Sequence, residues 1–288
     1  MGEGEGEAIV TDPVVTNFVR RLLEPLEKVE PPAHQRRLGF FTDQTLCIGC
    51  KACEVACKQW NQLPAETPRW TGHSYDNTDA LSDTSWRHVL FVEKPRIEGA
   101  TPTWLMLSDV CKHCGNAPCL DACPSGAIIR TEFDSVYVQN DVCNGCGYCV
   151  VACPFGVIAR NPIDGGAHKC TLCYDRLKVD LEPACAKACP TDSIQFGDLD
   201  ELRQRANHRL GELHQRGVST ANLYGADDEM LGRGLNAFFL LTDPPATYNL
   251  PAHPVRPVEK TGPSYLSSLA MAAGLLLAGA LAFRRGRK

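Results

Sequence analysis

The residues with the clearest chemical capacity in this 288-residue chain are its sixteen cysteines, which fall into four groups of four. The first is Cys47, Cys50, Cys53 and Cys57; the second is Cys111, Cys114, Cys119 and Cys123. The third is Cys143, Cys146, Cys149 and Cys153, and the fourth is Cys170, Cys173, Cys185 and Cys189. Groups one and three follow C-x2-C-x2-C-x3-C, a run that binds [4Fe–4S] clusters. Two-residue gaps let one loop offer three thiolates to one cubane. The three-residue gap starts a helical turn, because residues four apart share a helix face one turn along. That turn carries the fourth thiol away from its own loop, so it completes the cluster of another group. In groups two, three and four the fourth cysteine precedes Pro124, Pro154 or Pro190, which stops the turn. Group one has Lys58 at that place.

Other uses of these thiols fit less well. Zinc sites need two C-x2-C pairs per metal and have no role for a third cysteine two residues later. Two residues between thiols strain a disulfide, and frameworks of many bridges belong to small secreted scaffolds. With four cysteines available per cluster, His113 reads as a supporting or surface residue, and Trp60 as packing. Lys51, Lys58, Lys112, Lys169, Arg176 and Lys187 gather near the groups. Their positive field favours a reduced cluster, although charged loops are commonly only solvated. No catalytic residue is legible. A net charge of −5 argues against a nucleic-acid partner held by phosphate contacts.

The elements that must position the thiols repeat as well. "PSGAIIR", "PFGVIAR" and "PTDSIQFG" each read as a tight turn followed by a short strand. This is the internal repeat of the bacterial ferredoxin fold, used twice. Groups two and three, adjacent in sequence, are expected to form one two-cluster module, and groups one and four the other, closing around it. The fold class is α+β: two pseudo-symmetric ferredoxin-like two-cluster modules over residues 38–198, with small inserted β segments. The insertion, 58–110, holds "RHVLFVEK" and "PTWLMLSDV", two strands joined through Pro95, Gly99 and Pro102. With "LGFFTD" they are expected to make a small sheet beside the clusters. Over 198–217, Leu199, Leu202, Ala206, Leu210 and Leu213 recur at helical spacing. Asp198 with Glu201 resembles a capping box, and Gly217 supplies the stop. "LNAFFLLTD" reads as a strand, and "PPATYNLPAHPVRP" as an extended lead, closing a segment that runs over 199–264.

The two ends differ. Residues 1–37 open "MGEGEGEAIV", acidic and glycine-rich, and read as a solvated tail without a secretory signal. Residues 265–283, "YLSSLAMAAGLLLAGALAF", carry no charge and as a helix span about 28 Å, close to a hydrocarbon core. The basic tail 284–288 follows, so the positive-inside rule keeps the C-terminus in the cytoplasm and the cluster domain outside. Ala270, Gly274 and Ala278 form a small-residue stripe that permits close helix approach. The span has no histidine, so any haem or quinone chemistry belongs to another subunit.

The four groups with these gaps resemble the four-cluster iron–sulfur subunits that accompany molybdopterin enzymes. "TANLYGADDEMLGRGLNAFFLLTDPPATYNLPAHP" followed by one span looks like the β subunit of respiratory membrane-bound formate dehydrogenase. The likeness covers about residues 38–283. It implies a non-catalytic electron-transfer subunit between a molybdenum or tungsten pterin α subunit, which oxidises formate, and a membrane cytochrome b that reduces quinone. It implies four [4Fe–4S] clusters. One is held by Cys47, Cys50, Cys53 and Cys189, and its neighbour by Cys170, Cys173, Cys185 and Cys57. A third is held by Cys111, Cys114, Cys119 and Cys153, and the last by Cys143, Cys146, Cys149 and Cys123. The order runs from the group-one cluster near the α subunit to the group-three cluster near the membrane haem. Related nitrate reductases place a Trp at one group-three cysteine; here Cys146 is present. The likeness also implies export of the folded chain together with the α subunit. A nickel–iron hydrogenase or another molybdopterin enzyme would use an equivalent subunit, and a zinc-organised, membrane-anchored interaction protein is the alternative of a different class.

Overall fold

The computed structural model describes residues 36–65, 70, 72, 75–94 and 103–285. The tail at 1–37, save its last two residues, and the link through Pro95, Gly99 and Pro102 lie outside them.

The central sheet has four strands in the order β8-β1-β10-β9. Strand β1 (Leu38–Asp43) runs antiparallel to β8 (Ile194–Asp198) and parallel to β10 (Ala237–Leu241), and β9 (Asn222–Tyr224) closes the edge. β1 and β10 are buried along their whole length, which explains why "LGFF" and "AFFLL" are continuous apolar runs rather than alternations. Alternate residues still serve different faces. Phe41, Phe238 and Leu240 meet Leu199, Leu202, Ala206 and Leu213 of the long helix that follows β8, while Phe40, Ala237 and Phe239 face the core that contains the cysteines. Gly39 lets the backbone at Asn236, just before β10, approach, since a Cβ there would lie 2.0 Å from the Asn236 carbonyl oxygen and 3.0 Å from Leu199 Cδ1.

"LGFFTD" therefore does not join the insertion as expected. Among the described residues, strands β2 (Arg87–Lys94) and β3 (Thr103–Val110) pair only with each other, in register from Arg87↔Val110 to Lys94↔Thr103. A strand with both faces and both edges covered has no free edge to offer a hairpin. Two smaller hairpins, β4–β5 (Ile128–Arg130, Val136–Val138) and β6–β7 (Ala159–Arg160, Ala167–His168), follow groups two and three. Buried Asp134, in the β4–β5 turn, ties that hairpin to the sheet: it accepts from Arg37 Nε at 3.1 Å, Arg130 Nη1 at 3.0 Å and Asn236 Nδ2 at 3.2 Å.

Among the described residues, six α-helices precede the last one: α1 (Ala52–Trp60), α2 (Pro118–Asp121), α3 (Tyr148–Ala152), α4 (Tyr174–Leu177), α5 (Ala184–Lys187) and α6 (Leu199–Gln215). α6 begins at the expected cap, with Asp198 accepting from the Asp200 N–H, and Gly217 turns away at φ +88°. The proline-rich lead is docked rather than extended. Tyr248 and Leu250 are buried, Tyr224 Oη donates to the Pro251 carbonyl at 2.6 Å, and Arg256 donates to Asp121 of α2 at 2.8 Å. Helix α7 (Thr261–Arg285) is long and apolar enough to cross a membrane, and its apolar stretch is fully exposed.

Candidate metal centres

The four cysteine loops share one backbone device. The residue before each second cysteine is left-handed: Gly49 (φ +66°), His113 (+42°), Gly145 (+69°) and Leu172 (+58°). Lys51, Gly147 and Cys173 add a second left-handed residue in three loops. Such residues reverse the chain tightly, so thiols three apart converge on one side of the loop. Glycine is required twice for space as well. A Cβ on Gly49 would lie 2.7 Å from the Phe91 ring, and one on Gly145 would lie 2.2 Å from the Gly165 carbonyl oxygen.

The helices then deliver the remaining thiols. The third cysteine of each group is the second residue of a helix: Cys53 in α1, Cys119 in α2, Cys149 in α3 and Cys185 in α5. The fourth lies one turn on, at Cys57, Cys123, Cys153 or Cys189. α1 packs against α5, and α2 against α3. Group one thus neighbours group four, and group two neighbours group three.

That pairing brings thiols of different groups together. One cleft is lined by Cys47, Cys50 and Cys53 of group one with Cys189 of group four, beside Ser108, Pro190 and Thr191. Burial pushes the Cys57 thiol well up, and the next influences are Cys170 and Cys185, both from group four. Cys119 is pushed up to about 12 by burial, opposed by Lys169 and helped by Cys111 and by Cys153 of group three. Cys149 is pushed up to about 11 by burial, then by Cys143 and by Cys123 of group two. Cys53 and Cys173 also reach about 11, chiefly through burial.

None of the sixteen cysteines is in a disulfide. At neutral pH such buried sulfurs are protonated unless a cationic core offsets their charge, and iron ligation supplies that offset. Among the described residues no three His, Cys, Asp or Glu side chains are placed to hold a single metal ion. Zinc would draw its sulfurs to within about 2.3 Å of one centre. Four cysteine thiols per group, with the C-x2-C-x2-C-x3-C run in two of the groups, are the donor set of a [4Fe–4S] cubane.

Polar hydrogens already reach several sulfurs. The Leu172 N–H donates to Cys170 Sγ at 3.3 Å, the Ala167 N–H to Cys143 Sγ at 3.4 Å, and Ser108 Oγ lies 3.3 Å from Cys53 Sγ. His113 is not a surface residue. It is fully buried, and its Nδ1 accepts from the Val136 N–H at 3.1 Å. Lys112 and Lys169 are buried too. Lys112 pairs with Asp109, and Lys169 donates to the Cys170 carbonyl at 2.9 Å. Trp60 is half-exposed, donating to Asp175 at 2.8 Å with Arg176 stacked 4.2 Å from its ring. Arg87 and Ser108, both from the insertion, are functional candidates that cysteine spacing gave no reason to select.

Two family profiles described as 4Fe-4S dicluster domain match residues 46–127 and 102–199. The chain is 37% identical to the formate dehydrogenase iron–sulfur subunit of Haemophilus influenzae, over 87% of this chain and 80% of that one. It is 41% identical to the formate dehydrogenase-O iron–sulfur subunit of Escherichia coli, over 76% and 73% of the two chains. The chain belongs to the formate dehydrogenase iron–sulfur subunits. The B subunit of the anaerobic dimethyl sulfoxide reductase of Escherichia coli is 38% identical over 58% of this chain and 76% of its own length. Four [4Fe–4S] clusters follow from the two dicluster domains and the sixteen cysteines.

Proposed function

We propose that this chain relays electrons between a pterin-dependent catalytic subunit that oxidises formate and a membrane cytochrome b subunit that reduces quinone. The observation that carries this reading is the distribution of exposure. Of the sixteen cysteines only Cys50 and Cys146 are exposed, one in group one and one in group three, while six of the eight in groups two and four are buried and Cys123 and Cys189 are half-buried. Such a chain has two ends at its surface and a dry middle. Apolar side chains flank both ends: Ile48 and Val55 by Cys50, and Val142, Tyr148 and Val151 by Cys146. Two docking partners, one at each end, would cover them.

The proposed ligand sets follow the helix pairing. Cys47, Cys50, Cys53 and Cys189 hold the first cluster, and Cys170, Cys173, Cys185 and Cys57 the second. Cys111, Cys114, Cys119 and Cys153 hold the third, and Cys143, Cys146, Cys149 and Cys123 the fourth. When bound, such clusters supply one-electron carriers. The protein keeps water from the inner pair and orients the thiols through left-handed loops. The direction of the membrane end is supported by Arg256, just before α7, which holds Asp121 on the helix that presents Cys123.

The test uses the whole complex, purified without oxygen. About sixteen irons per chain are expected, and formate should bleach the visible absorption. A Cys57→Ser variant should damage the cluster of Cys170, Cys173 and Cys185, seen as a changed paramagnetic signal. Damage confined to the group-one cluster would overturn the ligand sets, and bleaching by hydrogen but not by formate would point to a hydrogenase partner instead.

A further inference from the structure

Arg87 opens β2, inside the insertion, and is 2% exposed. A guanidinium holds its charge in any protein environment, so burying it demands a compensating anion. No carboxylate pairs with Arg87 among the described residues. Its polar contacts are Nη1 to Ser108 Oγ at 3.1 Å and to the Ser108 carbonyl at 3.5 Å, and its plane lies 4.8 Å over the Phe40 ring. Nε and Nη2 are buried and have no partner. Two strong donors left unmet in a dry interior require a partner that the polypeptide alone does not supply.

The neighbours say which partner. Ser108, which receives Arg87, also lies 3.3 Å from Cys53 Sγ, in the group-one cleft. On its other side Arg87 lines a second cavity with Cys57, whose thiol is assigned to the group-four cluster. Burial lowers the proton affinity of the guanidinium, and Cys185, Cys53, Cys170 and Cys57 are the neighbours that outweigh it. All four belong to these two clusters and none to the other pair. A cubane with four thiolates is negative overall, and its sulfurs accept hydrogen bonds.

We propose that Arg87 is a positioning residue shared by the group-one and group-four clusters, its free Nε–H and Nη2–H donating to sulfur at their junction and raising both reduction potentials. This rests on the ligand sets of the proposed function. The fixed charge favours the more negative, reduced form of each cluster, so one side chain tunes two adjacent steps of the relay together.

The test is a redox titration of the complex followed by electron paramagnetic resonance, comparing wild type with Arg87→Met. With iron content unchanged, the reduction equilibrium of both junction clusters should fall at least tenfold, about 59 mV for one electron. The group-three cluster should stay at its wild-type potential. Unchanged potentials at the junction, or an equal shift of all clusters, would overturn the proposal. If Arg87→Met fails to retain clusters, wild-type complex carrying 15N-arginine decides the matter. A guanidinium nitrogen coupled to a reduced junction cluster supports the assignment, and absence of any such coupling overturns it. Failure of the ligand sets appears separately, as the wrong cluster responding to Cys57→Ser.

Discussion

At the scale of the residue, the sulfur positions were legible because spacing alone dictates them: gaps of two curl a loop and a gap of three starts a helix. Each loop then needs a left-handed residue, and at Gly49 that need meets a packing limit. Gly49→Ala places a Cβ 2.7 Å from the Phe91 ring and 2.8 Å from Met106 Sδ, at φ +66°. Strain of about 1 kcal/mol and overpacking of about 1–3 kcal/mol should add. The expected outcome is loss of about one cluster's iron by elemental analysis, with the group-one signal weakened first. Gly126→Ala has the same strain (φ +69°) with open space around it, and should keep all its iron. A second prediction concerns Asp76. Burial opposes its ionisation, but the Lys51 ammonium at 2.9 Å, the Asp79 N–H and His88 outweigh this and hold its carboxyl below the ordinary value. A depressed carboxyl stabilises the fold above its unfolded pKa, about 3.9, and that contribution disappears as pH falls through the folded value. In Lys51→Met the folded pKa rises, so exchange protection of the Asp79 amide should fail at higher pH than in wild type; equal profiles would refute the pairing. What the residue pattern concealed was Arg87. A lone arginine in a strand gives no sign of burial until the strand's neighbours are known.

At the scale of the element, local patterns located nearly every segment and said little about partners. β2 coincides with "RHVLFVEK", and α6 begins at Asp198 as its cap required. The pairing of β1 with β8 and β10 was not readable, because about 150 or more residues separate the strands and a wholly apolar run carries no face to match. The proline-rich lead was misread for a related reason. Its composition describes an isolated chain, whereas Tyr248 and Leu250 find a core built from distant strands. The joint holding the hairpin to the sheet is open to direct test. Asp134 is fully buried among Arg37, Arg130 and Asn236, and the Arg233 guanidinium approaches to 3.6 Å. Removing one partner of a buried charge network typically costs about 3–5 kcal/mol, since the cations remain. Asp134→Ala should therefore lower the temperature at which the visible cluster absorption is lost, and release the β4–β5 hairpin to limited proteolysis at unchanged iron content in the cold. A melting temperature equal to wild type would show that water replaces the carboxylate at no cost.

At the scale of the whole molecule, the bare helix α7 and the charges beside it bear on the proposed orientation. The apolar stretch of α7 is covered by no other described residue, and a surface of that size is stable against lipid or a partner helix, not against water. Its upstream flank is held to the body, because Arg256 is engaged with Asp121 of α2. If α7 is a membrane anchor as proposed, this contact would keep the α2–α3 pair of helices close to the bilayer. Sidedness then depends on charge. The tail "RRGRK" places four cations directly after the span, while residues 253–264 supply only Arg256 and Lys260. Lysine and arginine bias favours retention of the more basic flank in the cytoplasm. A fluorescent reporter fused after Lys288 should be active, and a reporter that matures only outside the cytoplasm should be silent at the same site. Replacing the four tail cations with serine should reduce the first signal and raise the second. The opposite pattern in the unaltered chain would put the cluster domain inside the cell, with any catalytic subunit docked at Cys50 on that side as well.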